Sequence, residues 1–173
     1  KARNRELAVH WDGGTRSASL THFDNRIDNL IAGSPAVNIG KARITGASLA
    51  GSLAAGAWTA NAGLDLMKPV DASNGNRLQR RPAEMLKLAI AYAGARWRGG
   101  VELSAIGRRY DTTTQGRIMG GYSASNLYAA YELDRDWTLE GRINNLFDRV
   151  YENAWSYAVP DRQLFVGLRY APQ

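Results

Sequence analysis

Residues 137–144 read Trp137-Thr138-Leu139-Glu140-Gly141-Arg142-Ile143-Asn144, with every odd position apolar or glycine and every even position polar. A period of two sends alternate side chains to opposite faces of an extended chain, so this segment is a strand with one apolar and one polar face. The same alternation continues in both directions. Toward the C-terminus, Leu164, Val166, Leu168 and Tyr170 share one face, with Gln163, Gly167 and Arg169 on the other beside Phe165. Toward the N-terminus it recurs in Leu127, Ala129, Tyr131 and Leu133, in Leu86, Leu88, Ile90 and Tyr92, and in Trp58, Ala60, Ala62, Leu64 and Leu66. Nine strands are predicted, at 5–11, 17–29, 39–53, 57–68, 82–93, 96–109, 122–133, 137–147 and 162–170.

Their lengths match the roughly 9–11 residues with which a tilted strand crosses a bilayer and exceed the usual globular strand. The connections also alternate. Tight turns at 12–16, 54–56, 94–95 and 134–136 are separated by longer loops near 30–38, 69–81, 110–121 and 148–161. In an up-and-down antiparallel sheet, this order gathers the tight turns on one rim and the long loops on the other. That is the asymmetry of outer-membrane barrels, whose short turns are periplasmic and whose long loops are extracellular. Trp11, Trp58, Trp97 and Trp137 each flank a tight turn, where an interfacial aromatic girdle would lie. The expected fold class is all-β, an antiparallel up-and-down transmembrane β-barrel.

Composition agrees. Of the 173 residues 45% are hydrophobic and 22% charged, and the mean hydropathy is −0.37. No stretch approaches the roughly 18 apolar residues of a membrane helix; even the uncharged run from Ala47 to Leu64 is broken by polar residues. Barrel strands are only mildly hydrophobic, so a barrel stays open where a helical bundle is excluded. The net charge of +6 comes from 22 basic residues mixed along the chain with 16 acidic ones, which reads as a solvated or lumenal surface and not a nucleic-acid footprint. There is no cysteine, so disulfides and cysteine-based metal centres are excluded. The chain opens with Lys1-Ala2-Arg3-Asn4-Arg5, without an initiator Met or a signal peptide, as expected of a processed or truncated product.

A catalytic constellation is missing, and neither an enzyme activity nor a cofactor is expected. His10 and His22 fall on separate strands without a Cys or Glu cluster beside them, so no metal site is expected. No Gly-x-Ser-x-Gly elbow occurs. Gly99-Gly100 and Gly120-Gly121 open no helix and precede no Lys-Ser/Thr, which excludes phosphate loops and predicts strand bends or bulges. The sharpest polar feature is Arg80-Arg81-Pro82, at the end of loop 69–81 where a strand begins. Two readings stand for Arg80. Its planar donors contact an anionic or amide-bearing ligand, or it pairs with a lumenal carboxylate such as Asp65 or Glu84. In a regular strand Arg81 would face away from Arg80.

The segment from Gly141 to Glu152, containing Asn144-Asn145-Leu146-Phe147-Asp148-Arg149, resembles the penultimate-strand signature of TonB-dependent outer-membrane receptors. The last strand, Arg162 to Tyr170 with its near-terminal aromatic, resembles theirs too. So do Phe23 to Ile31, Gly40 to Gly46, Leu78-Gln79-Arg80-Arg81-Pro82 and Arg109-Tyr110-Asp111. The pattern is most similar to the vitamin B12 (cobalamin) receptor branch, and siderophore receptors share several of these motifs.

That resemblance implies a barrel of about 22 strands, plugged by an N-terminal domain, of which residues 1–173 would be the C-terminal segment. It implies uptake of cobalamin, or alternatively of a siderophore, across the outer membrane of a Gram-negative bacterium. The TonB complex would drive that uptake through an N-terminal region outside this sequence, as the plug, the earlier strands and the calcium-binding loops of cobalamin receptors also would be. Residue by residue, Arg80 matches a cobalamin-contacting arginine, which favours the ligand reading at that position. The family's contacting tyrosine in the next extracellular loop has no counterpart in Thr112-Thr113-Thr114-Gln115-Gly116. Ala47-Ser48, Asp161 and the tail Ala171-Pro172-Gln173 also depart from the family pattern. A small autonomous barrel with hydrolase or structural function is the remaining alternative, disfavoured by an odd strand number.

Overall fold

A computed structural model describes residues 1–32 and 36–172. Thirteen strands are formed among these: β1 (Ala2–Asp12), β2 (Arg16–Ala32), β3 (Val37–Ala55), β4 (Trp58–Asp71), β5 (Glu84–Ala93), β6 (Trp97–Ile106), β7 (Arg109–Tyr110), β8 (Ile118–Met119), β9 (Tyr122–Glu132), β10 (Trp137–Asn144), β11 (Glu152–Ala154), β12 (Tyr157–Ala158) and β13 (Gln163–Tyr170). Nine of them make one sheet in the order β1-β2-β3-β4-β5-β6-β9-β10-β13. Every pairing in it is antiparallel. It is an open arc of barrel wall, because β1 and β13 each pair on one side only. These nine are the nine strands expected from the alternation.

Cross-strand partners share a face, so the registers carry one apolar phase across the whole wall. Leu49 stands opposite both Leu20 and Leu64, and Leu64 opposite Leu86. Leu88 faces Leu103, Val101 faces Leu127, and the row ends with Ile143 opposite Leu164. Leu20, Leu49, Ile90, Val101 and Val166 all remain exposed. In water such a face would be a large unpartnered apolar patch; in hydrocarbon it is solvated. The other phase carries ion pairs that cross strands, Arg142 with Glu102 at 2.7 Å, Arg169 with Glu140 at 3.0 Å and Arg98 with Glu132 at 3.7 Å. Within the belt, the apolar phase therefore faces lipid and the phase carrying these ion pairs faces the lumen.

Aromatic pairs mark the tight-turn rim. Trp58 packs on Tyr92 with ring centres 5.0 Å apart, Trp97 on Tyr131 at 4.5 Å and Trp137 on Tyr170 at 4.7 Å. In each pair the tryptophan opens a strand after a tight turn and the tyrosine is its direct cross-strand partner. Trp11 is exposed at the same rim, opposite Ala18.

Some expectations shift. The loop expected near 30–38 is shortened from both ends, because β2 runs on to Ala32 and β3 begins at Val37; its residues 33–35 lie outside the described residues. These two strands, of 17 and 19 residues, extend well past the membrane band. The strand expected over 96–109 stops at Ile106, and Arg109 enters the small β7–β8 hairpin instead. Gly99-Gly100 is no bulge, since the β5–β6 and β6–β9 registers run through it unbroken. A Cβ on Gly100 would lie 2.7 Å from the Tyr128 hydroxyl, so glycine leaves room for that ring.

Lipid-facing and lumen-facing neighbours should respond differently to substitution. In the full-length protein, Leu88→Arg at mid-belt should lower barrel stability by about 2–4 kcal/mol in denaturant unfolding from lipid vesicles. Lys87→Ala, on the lumenal face beside it, should change it by about 0.5 kcal/mol or less. Equal effects would contradict the assignment of faces.

Candidate functional site

The three connections 72–83, 107–121 and 145–162 share the long-loop rim and are tied together by side chains. The first is shaped by its own turn residues. The Asp71 carboxylate accepts the Ser73 amide at 2.8 Å, the Asn74 side chain accepts the Asn76 amide at 2.9 Å, and Gly75 takes the positive φ of 77° that the turn requires. Leu78 then anchors the loop in a buried cluster with Ile39 and Ala42. That anchor presents Gln79 and Arg80 to the second connection.

Arg80 lies at this rim, as expected, but not on a strand. It adopts a left-handed backbone with φ 54°, and β5 begins only at Glu84. The strand alternation expected between Arg80 and Arg81 therefore does not apply. Arg80 pairs with neither Asp65 nor Glu84. Its amide donates to the Tyr110 carbonyl at 2.7 Å, and its Nε donates to Asp111 Oδ1 at 2.7 Å. Asp65 instead accepts from the Ser48 hydroxyl.

Asp111 is the hub. It is 6% exposed, and Oδ1 accepts both the Arg80 guanidinium and the Trp155 amide, the latter at 3.2 Å. Its backbone carbonyl accepts from the Gln79 side chain. One aspartate thus joins all three connections. Burial alone pushes its carboxyl up. The hydrogen bonds from Arg80 and Trp155, with the charges of Arg80 and Arg117, outweigh that and hold it below the ordinary aspartate value.

Around the hub lies an aromatic and cationic cluster. Arg109, 4% exposed, donates to the Glu152 carbonyl and lies 5.3 Å from the centre of the Tyr122 ring. Tyr122 stacks on Tyr151 at 4.0 Å and donates its hydroxyl to Asn153 at 2.8 Å. Arg117 lies 4.4 Å over Trp155. Asn145, with φ 52°, starts the third connection by bonding the Arg149 amide and carbonyl. Such an arrangement offers planar donors and aromatic faces to a large polar ligand. It contains no nucleophile paired with a base. His10 and His22 are not brought together: His10 faces Ser19 in the lumenal phase and His22 faces Leu7 in the lipid phase.

Of this cluster, the sequence singled out only Arg80 as a site residue. Arg109-Tyr110-Asp111 stood out as a motif without a role, and Arg117, Tyr122, Tyr151 and Trp155 carried no spacing that would join them.

Comparison with known proteins follows the fold. The family described as "TonB dependent receptor-like, beta-barrel" matches residues 1–146. The vitamin B12 transporter BtuB of Photobacterium profundum is 24% identical over 181 residues, covering 98% of this chain and 30% of that protein. BtuB of Vibrio cholerae serotype O1 (strain M66-2) is 29% identical over 164 residues, covering 88% of this chain and 26% of that protein. Among solved structures, the siderophore receptor PiuA from Acinetobacter baumannii superposes with a TM-score of 0.84 at 16% identity, over 98% of this chain and 28% of that one. The ferric yersiniabactin uptake receptor FyuA from Yersinia pestis gives 0.80 at 17% identity, over 96% and 29%. The structural likenesses show the fold alone, and the chain spans less than a third of each of these relatives.

Asp111→Ala in the full-length protein removes charge-assisted bonds worth about 2 kcal/mol, so loop 107–121 should open about 30-fold more often, read as faster proteolytic nicking at neutral pH. Because the folded Asp111 pKa is depressed, its contribution is present above the ordinary aspartate range of about pH 4 and is lost as pH falls through the lower folded value. The unsubstituted protein should therefore approach the variant's nicking only in acid, below that range. Nicking that is unchanged by the substitution would remove Asp111 as the hub.

Proposed function

The chain belongs to the TonB-dependent receptor β-barrel family, and on that premise we propose that residues 1–173 are the C-terminal wall of an outer-membrane receptor that takes up cobalamin. The two unpaired edges, β1 and β13, would close on earlier strands of the same barrel, because lipid cannot accept their open backbone donors and acceptors. The plug and the TonB-contacting segment would precede residue 1. The role is uptake, not catalysis.

The observation that carries the ligand reading is the state of Arg80. Its Nε is held by Asp111, which orients the guanidinium, and neither Nη makes a hydrogen bond among the described residues. The side chain is 43% exposed at the long-loop rim. An arginine fixed on one edge and free on the other is preorganised to donate to amide or phosphate oxygens of a corrinoid. Similarity to B12 transporters supports cobalamin over other cargo.

A siderophore is the second reading. It is favoured by one feature, the non-aromatic tip Thr112-Thr113-Thr114-Gln115-Gly116, where cobalamin receptors supply a tyrosine.

Equilibrium binding of cyanocobalamin to the full-length receptor tests the assignment. Loss of a charge-assisted hydrogen bond of about 1.5–3 kcal/mol should weaken binding roughly 10- to 150-fold in Arg80→Ala, with Arg81→Ala changing it about twofold or less. Equal losses in both variants, or none in Arg80→Ala, would return Arg80 to a purely structural role. Displacement of the bound ligand by ferric chelates but not by cyanocobalamin would favour the siderophore.

A further inference from the structure

One surface is used neither by the lumen nor by the loop cluster. On the lipid-facing phase of β1 to β4, the apolar belt gives way abruptly to charge near the long-loop rim. Arg3, Arg26 and Arg43 stand directly opposite one another on three adjacent strands. The next row toward the belt is Arg5, Asp24, Thr45 and Lys68, again in direct register. Lys41 faces Asp28 one step further out. Six cations thus share this face with two carboxylates. On β5, β6 and β9 the outermost registered outward positions are Glu84, Ala105 and Ser123, none of them basic, so among these registered rows the basic patch is confined to β1 to β4.

The patch is poorly neutralised from within. Asp24 takes a two-pronged bond from Arg43, at 2.9 and 3.0 Å, and a further one from Arg26 at 3.0 Å. One carboxylate therefore serves two guanidinium groups. Arg3, Arg5, Lys41 and Lys68 form no ion pair among the described residues. Like charges directly opposite on neighbouring strands are destabilising, and a row of three persists more readily if an outside anion bridges it.

Position identifies that anion. On β4 the belt runs from Trp58, in the aromatic girdle, to Leu66, and Lys68 follows two residues later. Ten residues from girdle to cation is the length of one membrane crossing. The cations therefore lie at headgroup depth in the leaflet on the long-loop side, about 7 Å along the strand from the last apolar row. We propose that this face of β1 to β4 binds the phosphate-bearing headgroups of an anionic lipid in that leaflet, with Arg3, Arg26 and Arg43 clamping one phosphate-bearing group and Arg5 and Lys68 flanking it. Planar guanidinium groups suit phosphate oxygens. Outward lysines suit this position, because a lysine stem can lie along apolar surface while its charge reaches headgroup depth.

The test uses the full-length receptor in dodecyl maltoside micelles, followed by thermal unfolding. Doping with dimyristoyl phosphatidic acid should raise the unfolding temperature, and doping with dimyristoyl phosphatidylcholine or adding inorganic phosphate should not. The variant Arg3→Gln/Arg5→Gln/Lys68→Gln leaves Asp24 with both of its arginines, and it should need about 100-fold more phosphatidic acid for half the effect. Equal responses to the two lipids would show a surface that reads acyl chains and not charge, and would overturn the proposal. An effect reproduced by inorganic phosphate alone, or an undiminished response in the variant, would overturn it as well. The lipid comparison on the unsubstituted receptor decides the headgroup question even if the variant folds poorly.

Discussion

Hydrocarbon accepts no backbone hydrogen bonds, and that single constraint organises everything else in this chain. Each amide and carbonyl within the membrane band must find its partner on a neighbouring strand, so the strands are long, antiparallel and joined in sequence order, with only the small loop hairpins set apart from the wall. Once the strands are locked in register, the period of two does the rest. Leu49, Leu64 and Leu86 are forced onto the lipid side together, and Glu102, Glu140 and Arg142 onto the lumenal side. A one-residue slip in any strand would exchange those faces along its whole length.

The same constraint separates the two ends of the molecule chemically. At the tight-turn rim the strands finish in aromatic pairs that suit an interface, and the connections are too short to carry a site. At the opposite rim the backbone is back in water, freed from sheet pairing, and polar side chains can organise it. Asp111 does so by accepting from two neighbouring connections at once, and Arg80 and Arg117 are the cationic groups whose charges act on it. Function concentrates where the membrane stops dictating the backbone.

Sequence and structure agree most where alternation is long. Strands such as β4 and β10 were legible because eight or more residues keep one phase, and their tryptophans named the rim. Agreement fails where the determining contact is distant. Nothing in Arg80-Arg81-Pro82 points to a partner at Asp111, 31 positions away, and the positive φ at Arg80 broke the alternation that a strand would have imposed. Two-residue strands such as β7 and β8 are too short to show a period at all. The excess length of β2 and β3 was hidden for another reason. At their outer ends the expected strands stop at 29 and begin at 39, so Leu30, Ile31 and Ala32 fall in the expected loop beyond Asn29, whose left-handed φ of 59° interrupts the strand there. The candidate site was therefore legible in one residue, while the wall that holds it was legible in nearly all of its strands.

The account stands or falls on which face of the wall meets lipid, and β10 tests it most directly. The chain has no cysteine of its own, so single cysteines placed along 137–144 of the full-length receptor can each carry a nitroxide spin label in a lipid bilayer. Accessibility to oxygen, which partitions into hydrocarbon, and to a water-soluble nickel chelate is then read at each site. The account predicts high oxygen accessibility at Leu139, Gly141 and Ile143, and low values at Thr138, Glu140 and Arg142. A flat profile, a period of three to four residues, or oxygen maxima at the even positions would contradict it.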